Sequence, residues 1–115
     1  MTALMIEAEL WVSFASVLRS YVAAASINAD AAFTVDSTDN SISITSGEAV
    51  LAVDVDPQSG AGYWQLTGSA TAMQGRFILL HDGRIALDGN MLDLDHAAID
   101  CAAALMQAAS ARQNP

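Results

Sequence analysis

The two histidines and their neighbours are the residues whose types and spacing point most directly to chemistry. His81 precedes Asp82 and Arg84, so a base, an acid and a cation lie close enough together for general acid–base catalysis. His96 and Asp100 are four residues apart, a spacing that places two metal ligands on one side of a helix. We predict neither activity, because a polar hairpin tip accounts for the first group and no third ligand accompanies the second.

A pair of carboxylates and a single thiol are the remaining candidates. Asp54 and Asp56 alternate at the end of a strand, an arrangement that suits a glycosidase-like dyad or a cation site. Pro57 follows directly, and we interpret the pair as the end of the strand. Cys101 is the only cysteine and has no histidine at an informative spacing, so we assign it to the core. The sequence therefore predicts no catalytic residue, no bound metal and no cofactor.

Length and charge set limits on the class of protein. A chain of 115 residues forms one domain spanning residues 1–115, and we expect residues 112–115 to be a loose tail. The chain has thirteen acidic residues, four arginines and no lysine, for a net charge of -9. This charge disfavours nucleic acid and anionic membrane surfaces as partners, and the absence of lysine excludes Schiff-base chemistry.

The N-terminal segment raises the question of location. Residues 10–18 are apolar, but Glu7 and Glu9 precede them where a secretory signal has lysine or arginine. Arg19 and several polar residues interrupt the stretch too early for a membrane span. A single cysteine is consistent with a reducing compartment. We therefore predict a cytoplasmic protein that does not enter a membrane.

Two helices and six strands follow from the apolar periodicity. Residues 3–26 predict a helix with two neighbouring apolar stripes, which together are wider than the band of about 100° that a helix on a protein surface buries. Asp93 is a suitable N-cap for a second helix that extends to about Ala111. Strands are predicted at residues 31–36, 41–45, 49–55 and 62–69, and two more lie within residues 75–88.

Turn chemistry predicts the register of two hairpins. Asp82-Gly83 fits a two-residue type I′ turn, which would pair Ile78 with Leu87 and leave Phe77 and Leu79 on the opposite face of the sheet. Ser46-Gly47 fits a second two-residue turn and would pair Ile44 with Ala49. Both hairpins then place large apolar residues on one common face.

These elements predict an α+β fold with an N-terminal helix, a six-stranded antiparallel meander and a C-terminal helix, with both helices packed on one face of the sheet. The second face would then expose a mixed apolar surface, and the first helix has more apolar width than one contact needs. We expect a symmetric partner to cover the second face of the sheet, the first helix, or both. The predicted interface residues are Phe77, Leu79, Val50, Ala52, Tyr63 and Trp11.

The function expected from this sequence is that of a non-enzymatic protein-interaction module that forms a homodimer and in addition has the capacity to bind another protein. Two alternatives stay open. One is a small-molecule carrier with a pocket between the helices and the sheet. The other is an enzyme that uses His81 or His96.

Overall fold

The structure, a computed structural model, describes residues 2–29, 32–56, 58–68, 72–80, 82–87 and 89–111; of residues 2–8, 28, 29 and 109–111 it describes the backbone alone. The described residues form two helices and seven strands. In chain order they are α1 (Thr2–Ala29), β1 (Thr34–Ser37), β2 (Ser41–Ser46), β3 (Ala49–Val55), β4 (Ala61–Thr67), β5 (Ala72–Leu79), β6 (Arg84–Leu87), β7 (Asn90–Asp93) and α2 (Leu94–Ala111).

The strands form one antiparallel sheet in which spatial order equals chain order, from β1 at one edge to β7 at the other. The predicted α+β meander with helices packed on the sheet is confirmed, but the predicted number of strands is one too low. Strand β7 was missed because it has only four residues, of which Met91 and Leu92 alone are apolar. Gly89, with φ of +89°, precedes it in the turn from β6. Leu92 then pairs with Ile85 of β6.

Helix α1 packs against both the sheet and α2. It extends beyond the predicted span of residues 3–26 at both ends. Phe14, Leu18 and Val22 are buried, and Val17 and Tyr21 pack at the margin of the core. The wide apolar sector of α1 is therefore used within the chain, and the second body that it contacts is α2.

Helix α2 begins at Leu94, directly after the predicted N-cap Asp93, and its buried side is rich in alanine. Ala97, Ala98 and Ala102 are completely or almost completely buried, and Leu105 fills the core beside them. Small side chains let two helix backbones approach closely, which explains how α1 and α2 pack together on one face of a small sheet. The many alanines of α2 therefore have two effects: they favour the helical conformation and they allow close packing.

The β2–β3 hairpin has the predicted faces but a different register. Ile44 pairs with Leu51, where the sequence predicts Ala49. The two-residue loop is Gly47-Glu48, one residue later than predicted, and Gly47 supplies the positive φ of +62°. The shift moves the pairing by two residues. Because side chains alternate with a period of two, Ile44 and Leu51 still face the helices.

The register of the β5–β6 hairpin contradicts the prediction and changes which side chains face the core. Leu79 pairs with Ile85, whereas the type I′ turn would pair Leu80 with Ile85. The N–H of Leu80 donates to the carbonyl of Arg84 at 2.9 Å, and this pair closes a loop of three residues, 81–83. Such loops commonly combine a type I turn with a left-handed glycine, and Gly83 has φ of +85°. The register therefore differs by one residue from the predicted one.

A one-residue shift exchanges the two faces of a strand, so the predicted positions of Phe77 and Leu79 are wrong. Both lie in the core beneath the helices, with 3% and 2% of their surface exposed. Ile78 instead points away from the helices and is 48% exposed. Packing accounts for this choice: Phe77 lies opposite Gly62 of β4, where the absence of a side chain leaves room for its ring. The same ring contacts Phe14 of α1, with 6.3 Å between centroids.

Candidate functional site

The face of the sheet opposite the helices is not covered by any element among the described residues. We call it the outer face. It consists of the residues that alternate with the core residues along each strand. The cross-strand pairing assigns the following residues to it: Thr34, Asp36, Ser41, Ser43, Thr45, Val50, Ala52, Asp54, Ala61, Tyr63, Gln65, Thr67, Ala72, Gln74, Arg76, Ile78, Arg84, Ala86, Met91 and Asp93.

Short, uncharged side chains dominate the centre of the outer face. Ala52 of β3 lies between Ser43 of β2 and Gln65 of β4, and Val50 lies between hydroxyl residues in the next row. Strands with a buried face show this alternation of large core residues and small polar ones because only one side must exclude water. The centre of the outer face is therefore smooth and uncharged.

Larger apolar side chains lie on β4 to β7, the second half of the outer face. Ile78, Ala86 and Met91 are consecutive cross-strand neighbours on β5, β6 and β7. Ile78 is 48% exposed and Met91 is 54% exposed. Tyr63 on β4 is 43% exposed, and its hydroxyl donates to Gln65 Oε1 at 3.4 Å. Aromatic and large aliphatic side chains of this kind supply much of the energy of protein interfaces.

A shallow groove of about 550 Å³ lies where β3 ends and β4 begins, and Tyr63 forms part of its wall. Asp54, Asp56 and Arg76 line it. The Asp56 carboxylate accepts the backbone N–H of Gln58 at 3.0 Å, so it closes the turn after β3, consistent with the strand-end interpretation. No group of three or more acidic, histidine or cysteine side chains suited to a metal ion occurs in the part of the chain that the structure describes.

Three of the six predicted interface residues lie on the outer face, and three do not. Val50 and Ala52 lie near its centre, and Tyr63 lines the groove between β3 and β4. Phe77 and Leu79 belong to the core because of the register shift described above. Trp11 is also buried, with 3% of its surface exposed, because α1 directs it against the rest of the core. The prediction that Trp11 forms an exposed contact is therefore wrong.

The His96 region is a capped helix start. The Asp93 carboxylate accepts the backbone N–H of His96 at 2.7 Å, which confirms Asp93 as the N-cap of α2, and it lies 2.9 Å from His96 Nδ1. The His96 backbone N–H, followed by its imidazole, lowers the pKa of Asp93. The Asp93 carboxylate in turn raises the pKa of His96 above its ordinary value of 6.5. Both side chains are exposed to solvent. The pair caps and stabilises the start of α2.

The other predicted group contains His81, which lies outside the described residues. Its neighbours form an ion pair at the hairpin tip, with 2.7 Å between the Arg84 guanidinium and the Asp82 carboxylate. The Arg84 side chain lowers the pKa of Asp82 by its hydrogen bond, and Asp82 raises the pKa of Arg84. Asp82 also accepts the backbone N–H of Arg84 at 3.2 Å. These contacts secure the three-residue loop.

A cavity of about 170 Å³ lies between α2 and the sheet, where the carrier alternative needs a pocket, although the sequence did not indicate which residues would line it. Its wall includes Trp64 of β4 and Cys101 of α2, with Asp100 at the side. The indole Nε1 of Trp64 is buried and has no hydrogen-bond partner; among the described residues it is the one buried side-chain nitrogen or oxygen in that state. No short motif marks such a site, because its residues come from distant parts of the chain.

The prediction that Arg19 interrupts the apolar stretch too early for a membrane span is wrong by length and composition, because within the described residues Glu9–Ile27 of α1 has the length and hydropathy of a membrane-spanning helix. Trp11, Phe14, Leu18 and Val22 of that segment are buried against the core. A core helix of a soluble protein and a signal sequence share the same length and composition, so the segment alone assigns no membrane role.

Comparisons of the chain with protein-family models, curated proteins and solved structures find no match.

Proposed function

We propose that the protein is a non-enzymatic interaction module that acts as a homodimer, with the outer face as the contact between two copies. One observation carries the proposal: both helices lie on the same side of a seven-stranded sheet, and no described element covers the other side. The two apolar stripes of α1 pack against α2 and the core, so α1 is not part of the proposed contact.

The area of the outer face matches the needs of a small dimer. Seven strands spaced by ~4.8 Å make a face about 29 Å wide, and strands of four to eight residues give a length of about 13–26 Å. The product is roughly 600 Å² for each copy, or about 1,200 Å² for two. Stable interfaces begin near that total.

Side-chain size also suits contact between two sheets. Sheets that pack face to face lie ~10 Å apart and need side chains that interdigitate without bulk. Ala52, Ser43 and Val50 permit this approach on β2 and β3, while Tyr63 on the central strand β4 and Ile78 on β5 supply larger contacts. A two-fold axis would bring the same residues from both copies together, so one small surface suffices.

The outer face repels a second copy less than the net charge of the whole chain suggests. The chain has a net charge of -9 and four arginines. Two of the four, Arg76 and Arg84, lie on the outer face together with three aspartates, Asp36, Asp54 and Asp93, for a local net charge of -1. The excess acidic charge is therefore concentrated elsewhere, where salt screens it at distances beyond about 10 Å.

Sedimentation equilibrium at ~100 μM protein in ~0.15 M salt tests the proposal, and we expect a dimer. Ala52→Arg should give monomers, because it places a bulky charge at the centre of the outer face. Ala103→Arg is the matched control, since Ala103 is exposed on α2 and the change in net charge is identical. Glutamate at Phe77 or Leu79 would test folding instead, because both residues are buried.

Wild-type protein that sediments as a monomer under these conditions overturns the proposal. A wild-type dimer that persists in a folded Ala52→Arg variant would remove the outer face from the contact. Native mass spectrometry of the same samples reads the oligomeric state independently and reports any co-purifying protein that competes with the second copy.

A further inference from the structure

The cavity between α2 and the sheet has a mainly apolar wall and encloses about 170 Å³. Leu51, Leu66 and Leu87 contribute from three strands, and Ala104 contributes from α2. The short side chain of Ala104 leaves space at this position that a larger residue in a well-packed core would normally fill.

The indole N–H of Trp64 is a hydrogen-bond donor on a residue of this wall. A buried donor without an acceptor destabilises a folded protein, so nearly all such donors in native structures have a partner. Its Nε1 is shielded from water even though the residue as a whole is only partly buried. Trp64 itself lines the cavity, and a turn of the indole about its Cβ–Cγ bond would present this N–H to a ligand there.

Charge at the wall limits the class of ligand. Asp100 is exposed at the side of the cavity, and the chain around it has a net charge of -9. An anionic ligand such as a short fatty acid would be repelled at the entrance. The wall has no basic side chain that would attract it.

We propose that this cavity binds a small neutral organic molecule with an apolar body and one hydrogen-bond acceptor, such as a ketone, whose oxygen accepts the N–H of Trp64. An apolar cavity of about 150 Å³ holds benzene, so a ligand of about six to ten non-hydrogen atoms fits this one. The site lies on the helix side of the sheet, so it is independent of a dimer formed through the outer face.

Titration of ¹⁵N-labelled protein with cyclohexanone, followed by the two indole N–H signals, tests the proposal. Trp64→Phe assigns the signals. We expect a saturable downfield shift of the Trp64 signal within about 10 mM, since ligands of this size bind in the millimolar range, and no comparable shift for Trp11. Benzene should bind without the downfield shift, and hexanoate should not bind. In Trp64→Phe, monitored by backbone amides, cyclohexanone affinity should fall about tenfold and benzene affinity should stay the same.

Ala104→Leu fills the cavity and should abolish binding of both neutral probes, while Ala103→Leu on the exposed side of α2 should leave binding unchanged. The proposal fails if cyclohexanone gives no saturable shift of the Trp64 signal, or if it binds a folded Ala104→Leu variant equally well. If Ala104→Leu does not fold, equal movement of the Trp11 and Trp64 signals in wild-type protein overturns the site on its own.

Discussion

Gly62→Ala is the substitution that most directly tests how the core sets the register of β5. A Cβ at Gly62 would overlap the Cζ and Cε1 atoms of the Phe77 ring and lie 2.5 Å from the carbonyl oxygen of Asp54. At an unobstructed strand position, alanine is more stable than glycine by roughly 0.5–1 kcal/mol. Overpacking a core costs about 1–3 kcal/mol. We therefore expect a net loss of about 1–2 kcal/mol.

Urea unfolding at one fixed protein concentration, followed by circular dichroism, measures this loss. With a slope of about 1–3 kcal/mol per molar urea, a loss of about 1.5 kcal/mol lowers the midpoint by roughly 0.5–1.5 M. Gly68→Ala is the matched control. A Cβ at Gly68 would have its nearest neighbours at 3.8–3.9 Å, which is ordinary van der Waals contact, so its midpoint should stay the same or rise.

A double-mutant cycle separates the ring contact from the backbone contact. Phe77→Leu removes the Cζ and Cε1 atoms that the new methyl group would strike. In that background the penalty of Gly62→Ala should shrink by about 1 kcal/mol, because the two sites are in direct contact. The reasoning is refuted if Gly62→Ala is as stable as the wild type, or if its penalty is equal in both backgrounds.

Two further predictions concern the helix start and the hairpin tip. Asp93→Asn keeps an N-cap acceptor but removes the carboxylate, so the pKa of His96 should fall toward 6.5; NMR titration of the imidazole measures it, and an unchanged pKa would contradict the pairing. Because the folded pKa of His96 is raised, its pairing stabilises fully below pH ~6.5 and is lost as pH rises through the folded pKa. Gly83→Val should cost on the order of 1–2 kcal/mol in urea unfolding, since Gly83 has φ of +85°, and a neutral result would rule out a left-handed residue there.

Local patterns in the sequence determine the elements of this protein and most of their faces. Asp93 is followed by an apolar periodicity, and that combination predicts α2 because capping depends on residues three positions apart. In β2, apolar Ile42 and Ile44 alternate with hydroxyl residues, so the buried face is evident whatever the register. An error of two residues in the β2–β3 pairing therefore leaves the predicted core intact.

The tertiary structure alone decided the face of β5. Residues 77–80 are all apolar, so hydrophobicity marks neither face, and an Asp-Gly pair fits loops of two or three residues equally well. The open space at Gly62 and the contact with Phe14 place Phe77 inside. Local patterns also do not show which element packs against the wide apolar sector of α1. That element is α2, which begins at Leu94, whereas α1 ends at Ala29. Sequence periodicity shows that a surface must be covered, but only packing shows which element covers it.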